Sequence, residues 1–490
     1  MRGLPRAARW LPGVFLVVFG GWAVGRHVML GSWTYDLGIY VQAMWHTMHG
    51  RPLGSSLEVP MLLGDHVAPG FVLLMPVYAI APHPLTLIVI QTVWVAAGGW
   101  VVAWLTRRML GDRSLPIVLV TAGYLFGPSA GGIVGYDFHP IAMASTAGLL
   151  AIAAFLAGRT GWGIAALVLT VSFGERGALM AAGVGTWLFL FERRRGLGAG
   201  VVVASLAYFW VAVGWIVPHF RGAPADALSR FEWLGESPAA IVRTCLLRPG
   251  YVAWHLLSDP LRMSYLIRLG LPFAMLVWRR PAALLPVVWP LAANLLSDRP
   301  AQHQMVWQYD ATVWPLMALA AILAWRTLRS RRWVVRSLRR RPGRWIAVHV
   351  AALLVANGYN TFVHWAPTTR FDPRRWADLR YVAAPIGGDD PLSASMNLGP
   401  HFAHRRQLRD YPRLGWEAGR FPDLQQRAAR WVLVDVWFEG RHHGFDHWAA
   451  HRRTLARRGY RLVRRRGDFR LFERAGSPDV FPEPAARPST

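Results

Sequence analysis

The sequence predicts a mainly α-helical, polytopic membrane domain of about eleven spans followed by a small extracytoplasmic α/β domain. Three observations lead there. Of the 490 residues, 53% are hydrophobic and 26 are Trp, too apolar for a soluble protein of several ordinary domains. Apolar stretches long enough to approach a hydrocarbon core of roughly 30 Å recur between residues 11 and 362. None follows from residue 366 onward, so the expected divisions are 1–365 for the membrane domain, 366–475 for the outer domain and 476–490 for a disordered tail rich in Pro and Ala.

Residues 10–29, preceded by Arg2, Arg6 and Arg9, read as a first spanning helix that also serves as a signal anchor, which places the N-terminus in the cytoplasm. The later candidate spans are 84–105, 115–134, 139–157, 161–174, 177–191, 198–217, 264–278, 281–297, 311–325 and 345–362. The segment 69–82 is apolar but about half a span long, and is expected to lie in the interface or to re-enter. With this count the even-numbered gaps hold Arg107, Arg108 and Arg113, then Arg159, then Arg193 to Arg195, then Arg279 and Arg280, then the arginines from Arg326 to Arg344. Cytoplasmic turns carry such an excess of cations, so every turn agrees with one orientation. Beyond the spans, 431–436 reads as a strand, and 460–472 as a strand, an Arg-Gly-Asp turn and a second strand.

The formal net charge of +27 does not imply a nucleic-acid partner. Its cations are Arg throughout, with no Lys, and many sit in short turns between apolar segments, where topology accounts for them. The partner implied by composition is the bilayer. A single Cys excludes an internal disulfide.

Polar clusters interrupt the apolar chain at Tyr35-Asp36, Asp65-His66, Asp137-Phe138-His139, Glu175-Arg176 and between Asp298 and Asp310, and the predicted topology puts all of them on the outer side. An ionisable group at bilayer depth costs several kcal/mol unless it lines a cavity or finds a partner, so such a set points to a polar site. Asp36 is either a helix-start residue favoured by the macrodipole or a base at the mouth of a cavity. The pairs Asp65/His66 and Asp137/His139 suit proton relay, oxygen and nitrogen metal ligation, or interfacial capping. A divalent cation, Mg or Mn, is the candidate cofactor, with Asp36, Asp65, Asp137 and His139 as candidate ligands. Glu175 and Arg176, separated from apolar runs by almost no loop, must neutralise each other or nearby groups, and Arg176 is the kind of fixed guanidinium that grips a lipid phosphate. The stretch with Asn294, His303, Gln304, Tyr309 and Asp310 offers amides, an imidazole and a phenol suited to a hydroxyl-rich ligand. Ser395, Asn397, His401 and His404, followed by Arg405 and Arg406, read as a polar helix start.

The blocks Tyr35-Asp36-Leu37-Gly38-Ile39 with Gln42, Gly64-Asp65-His66-Val67-Ala68-Pro69 with Pro76-Val77-Tyr78, Asp137-Phe138-His139-Pro140, and Asn294-Leu295-Leu296-Ser297 with Gln304 and Tyr309 resemble a family of bacterial and archaeal multi-pass membrane proteins of unknown function. The resemblance continues through Ser393 to Asn397, His401 and the 459–472 hairpin. That family is similar in layout to the GT-C superfamily of membrane glycosyltransferases, which take a sugar from a polyprenyl-phosphate donor outside the cytoplasmic membrane and carry an essential acid in the first outer loop. The resemblance implies a GT-C-like fold, a lipid-linked sugar donor as partner, and Asp36 as the catalytic acid/base. Taken with the chemistry of the polar clusters, Asp65, His66, Asp137, His139, Glu175, Arg176, Gln304 and Tyr309 are the expected substrate-binding set. The resembled family more often reads Lys-Glu-Asp where this chain has Gly174-Glu175-Arg176, and an acid is frequent at the place of Val41; both departures weigh against a metal at Glu175.

The leading expectation is therefore inverting transfer of a sugar at the outer membrane face, with the donor sugar and acceptor left open. The rivals are a transporter or flippase of lipid-linked intermediates, for which no matched halves are visible, and a non-catalytic membrane scaffold.

Overall fold

A computed structural model describes residues 3–328, 336–338, 340–411 and 429–474, so the expected tail at 476–490 lies outside the described residues. The chain forms two compact units, one of Met1–Gly25 and Met61–Pro367, the other of Arg26–Pro60 and Thr368–Thr490.

The first unit is helical. Four helices, Arg6–Val28, Pro84–Leu110, Arg195–Arg221 and Pro342–Thr368, are long and apolar enough to cross a membrane, and the bent pair Ser114–Phe126 with Pro128–Gly135 makes a fifth if counted as one span. The other apolar stretches lie on shorter helices, among them Pro69–Ile80, Ile141–Leu156, Thr160–Ser172 and Trp314–Leu328. At 1.5 Å per residue these fall short of a full hydrocarbon core. The eleven expected segments are thus not eleven long helices.

Side-chain pattern sorts the helices by depth in the bundle. In Arg6–Val28 the stripe Ala8, Pro12, Phe15, Phe19 and Ala23 is buried, while Val17 on the other face is 77% exposed. Phe15 and Phe19 stack at 4.8 Å, and Phe19 continues to Phe362 at 5.2 Å. Trp314–Leu328 is buried from Trp314 to Trp325, as a central helix must be. Pro342–Thr368 is the opposite case, with Leu354 and Val355 turned outward where lipid takes the place of protein.

Besides the bent 115–134 segment, two more expected spans are not continuous helices. The 264–278 stretch ends its α-helix, Pro260–Gly270, at Gly270, and then turns through Ala274 and Met275 at φ +52° and +58°. The 281–297 stretch begins as a 3-10 segment, Pro281–Val287, before the short α-helix Val288–Leu295. Pro272, Pro281 and Pro286 lack the N–H that an α-helix needs, and each sits in one of the irregular parts.

The second unit carries a five-stranded sheet in the order β2-β1-β3-β5-β4, with β1 Leu392–Ser395, β2 Leu408–Tyr411, β3 Trp431–Asp435, β4 Tyr460–Arg466 and β5 Phe469–Arg474. β1 pairs in parallel with β2 and β3, and β5 pairs antiparallel with β3 and β4. The strand expected at 431–436 and the hairpin expected at 460–472 are both present, and Gly467 takes the positive φ of the turn. A core of Tyr411, Val432, Val434, Leu455, Tyr460 and Phe472 packs one side of the sheet against the helix Phe445–Arg457.

The 26–60 segment is stitched onto this unit. Thr34 donates from its amide and its hydroxyl to the carbonyl of Met396, at 2.8 and 2.7 Å. Gln42 donates to the Arg405 carbonyl at 3.2 Å, and Ser56 exchanges hydrogen bonds of 2.9 Å with the Leu408 main chain. The expected polar helix start is corrected here. Ser395 ends β1, Asn397 lies in the following turn, and His401 sits in a single 3-10 turn, Gly399–Phe402, because Asn397 is spent holding the carbonyl of Leu30 and the buried carboxylate of Asp435. Arg375 completes the ion pair with Asp435.

Candidate functional site

Glu175 opens the helix Glu175–Leu190 directly after Gly174, whose φ of +143° only glycine holds without strain. That turn brings the carboxylate to the loop of Asp65 and His66. Glu175 accepts from the amide of Val67 at 3.2 Å and meets His66 Nδ1 at 3.3 Å. On the other face of the imidazole, Asp65 stands 3.8 Å from Nε2. Burial disfavours charge on His66, but the two carboxylates outweigh it and raise the imidazole to about 9. Arg221, at the end of the helix Arg195–Arg221, closes the group by pairing with Asp65 at 3.8 Å and donating to the carbonyl of Gly64 at 3.4 Å. Gly64 packs so closely on the Phe220 and Arg221 main chain that an added Cβ would lie 3.0 Å from it.

Arg176, one residue on, faces away from Glu175 and bonds the side-chain oxygen of Asn294. Of the two outcomes expected for Glu175 and Arg176, Glu175 has the second, being held by His66 and Val67, whereas Arg176 meets only a neutral amide and keeps one guanidinium nitrogen without a hydrogen bond. Asn294 in turn donates to the Tyr265 hydroxyl at 2.9 Å and to Asp310 at 3.1 Å. Asp310 also accepts from Tyr265 and from Ser129, both at 2.7 Å, and His303 bonds the Asn294 carbonyl at 2.9 Å. This buried net fixes the strand of chain leading to Tyr309.

Around the Tyr309 ring three guanidinium groups gather, Arg176 at 5.7 Å, Arg299 at 5.8 Å and Arg230 at 5.9 Å from its centre. Among the described residues none of the three forms an ion pair, and Nη1 of Arg176 is buried with no hydrogen-bond partner. Arg230 is also near enough to act electrostatically on both His66 and Arg176. Close cations without counter-charge repel, and an anion between them relieves that cost.

The other candidates have local settings of their own. Asp137 and His139 lie in a buried turn with Asp137 at φ +27°. The turn is gripped by Gln91, which donates to the carbonyls of Ile133 and Asp137 at 3.0 and 2.8 Å and accepts from the amide of His139 at 2.8 Å. His139 stacks on Tyr136. Gln304 accepts from the indole of Trp307 at 2.8 Å. Asp298 pairs with Arg262 and, at 3.0 Å, with His255, a loop-fixing role. Asp36 belongs to the second unit, half-buried in the π-helical turn Thr34–Gly38.

Arg221, Arg230 and Arg299 were not singled out by the sequence, because isolated arginines carry no spacing signal. Gln91 was missed for a related reason, being one amide inside a long apolar run. Among the described residues no group of three or more His, Cys, Asp or Glu is placed to hold a metal ion.

In fold the chain is similar to ArnT from Cupriavidus metallidurans bound to undecaprenyl phosphate, with a TM-score of 0.53 and 14% identity over 95% of this chain and 98% of that one. The apo state of the same protein gives 0.49 at 14% identity, over 94% and 98%. The archaeal oligosaccharyltransferase AglB from Archaeoglobus fulgidus, in complex with an inhibitory peptide and a dolichol-phosphate, gives 0.42 at 14%, over 93% and 73%. No curated protein matches the sequence. The fold is thus the GT-C-like helical membrane domain with a small sheet domain that the sequence predicts. The chain belongs to the DUF2079 family of predicted membrane proteins, whose model matches residues 26–471.

Proposed function

We propose that this DUF2079 chain is a membrane glycosyltransferase that moves a sugar from a polyprenyl-phosphate donor to an acceptor outside the cytoplasmic membrane. The observation that carries the reading is the gathering of Arg176, Arg230 and Arg299 around the Tyr309 ring, none of them in an ion pair among the described residues. Phosphate oxygens are the natural complement of several guanidinium forks, and the solved structure of the same fold holds undecaprenyl phosphate. In this reading the outer side is the one reached by the loops of Arg230 and Arg299, with the arginine-rich turns in the cytoplasm.

The chemistry is a single displacement. The acceptor hydroxyl attacks the anomeric carbon, the bond from that carbon to the phosphate oxygen breaks, and the configuration inverts. The arginines neutralise the charge gained by the departing lipid phosphate, so they act most strongly as the bond breaks. Asp36 takes the hydroxyl proton. Its role rests on its place just after the first long helix and on the resemblance of its block, and the protonated His66 supplies a further positive charge beside the phosphate-binding arginines.

Three measurements test the reading. Lipid extracts of a deletion strain should accumulate one polyprenyl-phosphate sugar, which names the donor. Asp36→Asn, expressed at the normal level, should lose transfer; full activity would remove its role. Arg176→Gln with Arg230→Gln should lose binding of undecaprenyl phosphate by the purified protein, and unchanged binding would sink the phosphate site. Delivery of the intact lipid-linked sugar across vesicles, with no bond broken, would make the protein a transporter instead.

A further inference from the structure

The second unit has a cavity of its own, of about 460 Å³, and nothing in the reaction above uses it. One wall is the end of the helix Ile39–Met48 and the turn after it, which bring Trp45, His46, His49 and Arg51; the other comes from the loops around Asp389 and Arg406. His49 stacks flat on Trp45, ring centres 4.1 Å apart, and its Nδ1 bonds the Trp45 carbonyl at 2.7 Å. The two rings form one stiff aromatic surface.

His46 is the informative group. It is 96% buried by residue area, yet its Nε2 has no hydrogen-bond partner. Burial, followed by the nearby Arg51, lowers the imidazole to about 4, so it is neutral at physiological pH; the Arg406 main chain hydrogen-bonds the ring. With one nitrogen donating to that main chain, Nε2 presents a lone pair. A buried acceptor without a donor costs free energy, and a hydroxyl arriving in the cavity would recover it.

Charge adds the second requirement. The cavity lining holds two guanidinium groups, Arg51 and Arg406, and one carboxylate, Asp389, leaving an excess of one positive charge. The Arg406 to Asp389 pair is long at 3.5 Å and largely exposed, so it is weak and easily exchanged for a better anion. An aromatic wall, an orphan acceptor for a hydroxyl and two arginines together describe an acidic saccharide.

We propose that this cavity is a binding site for an anionic sugar, carrying a carboxylate or a phosphate. Its hydroxyl donates to His46 Nε2, and its acidic group sits between Arg51 and Arg406. The site stands on the second unit alone and does not depend on the transfer reaction.

The test is calorimetric titration of the full-length protein in nanodiscs with glucuronate, glucose 6-phosphate, glucose and inorganic phosphate. Saturable binding of glucuronate or glucose 6-phosphate, with glucose and inorganic phosphate at least about tenfold weaker, is expected, since the loss of one charged hydrogen bond is worth about that factor. Which of the two acids binds tells carboxylate from phosphate as the source. Arg51→Gln with Arg406→Gln, both exposed positions, should weaken binding by a similar factor, as should His46→Phe. Arg176→Gln with Arg230→Gln should leave it unchanged. Absence of saturable binding, wild-type binding in the Arg51/Arg406 variant, inorganic phosphate binding as tightly as the sugars, or loss of binding in the Arg176/Arg230 variant alone would each overturn the proposal.

Discussion

His66 Nδ1 lies 3.3 Å from Glu175 Oε1, joining two residues 109 positions apart in the chain. The pair anchors the loop of Asp65 to the start of the Glu175–Leu190 helix, and the protonated imidazole is what makes it hold.

A pH dependence follows. A group raised from 6.5 to about 9 stabilises the fold fully below pH 6.5 and loses that contribution as pH climbs through 9. The thermal midpoint of the wild type should therefore exceed that of His66→Gln at pH 6, with the gap narrowing toward zero above pH 9. His66 is 40% exposed, so water tempers the size of the gap but not its sign. A gap that widened on the alkaline side would contradict the charged pair.

Gln91→Leu should destabilise the first unit, although it makes an apolar helix more apolar. The amide satisfies two carbonyls and one N–H of the Asp137 turn, and each of these left buried and unpaired costs roughly 1–3 kcal/mol. Gln91→Glu, which keeps the acceptor for His139, should lose less. Unfolding in detergent followed by size exclusion ranks the two, and equal losses would argue that the turn does not depend on those bonds.

These two sites show what was legible in the residues and what was not. The acids and histidines that interrupt apolar runs announce themselves, because Asp65, His66 and Glu175 at such places need a partner or a cavity. Tyr309 was found in the same way. Asn294 stood out beside them, but the other partners did not, because Gln91 has no period to betray it and Arg230 and Arg299 resemble every other arginine of a chain with 54 basic residues. The β4–β5 hairpin was plain from Gly467 and its flanking alternation, whereas the association of residues 26–60 with the sheet of the second unit depends on hydrogen bonds such as Thr34 to Met396, 362 positions apart, which no local pattern encodes. The broken stretches around Pro272 and Pro286 had their signal in the prolines, outweighed by the apolar run around them.

Arg375→Met should be among the costliest changes in the second unit. It leaves the Asp435 carboxylate wholly buried with Asn397 as its remaining side-chain partner, and breaking a buried pair in this way costs roughly 3–5 kcal/mol. Burial already holds the Asp435 carboxyl above its ordinary value, with Arg375 opposing that rise, so removing the arginine should favour the proton further. The variant should then recover stability as pH falls, and Asp435→Asn in the same background should restore part of the loss at pH 7. A variant equally unstable at pH 5 and pH 8 would rule out the charge as the cause.

One close helix pairing in the first unit rests on Gly185 and Gly198. A Cβ at Gly198 would stand 2.6 Å from the Phe189 amide and 2.7 Å from the Gly185 carbonyl, both main-chain atoms that cannot swing aside. In a bilayer, where lipid is as apolar as any side chain, such close approach is itself a main source of helix association. Gly198→Ala should therefore cost roughly 1–3 kcal/mol, the usual penalty for overpacking, despite the better helix propensity of alanine. Gly196 and Gly200 flank it on the same helix with no atom within 4 Å of their added Cβ, so Gly196→Ala and Gly200→Ala should be neutral or slightly stabilising. Thermal midpoints of the three purified variants decide the point: a loss shared by all three would trace to helix flexibility rather than to the contact between Gly185 and Gly198.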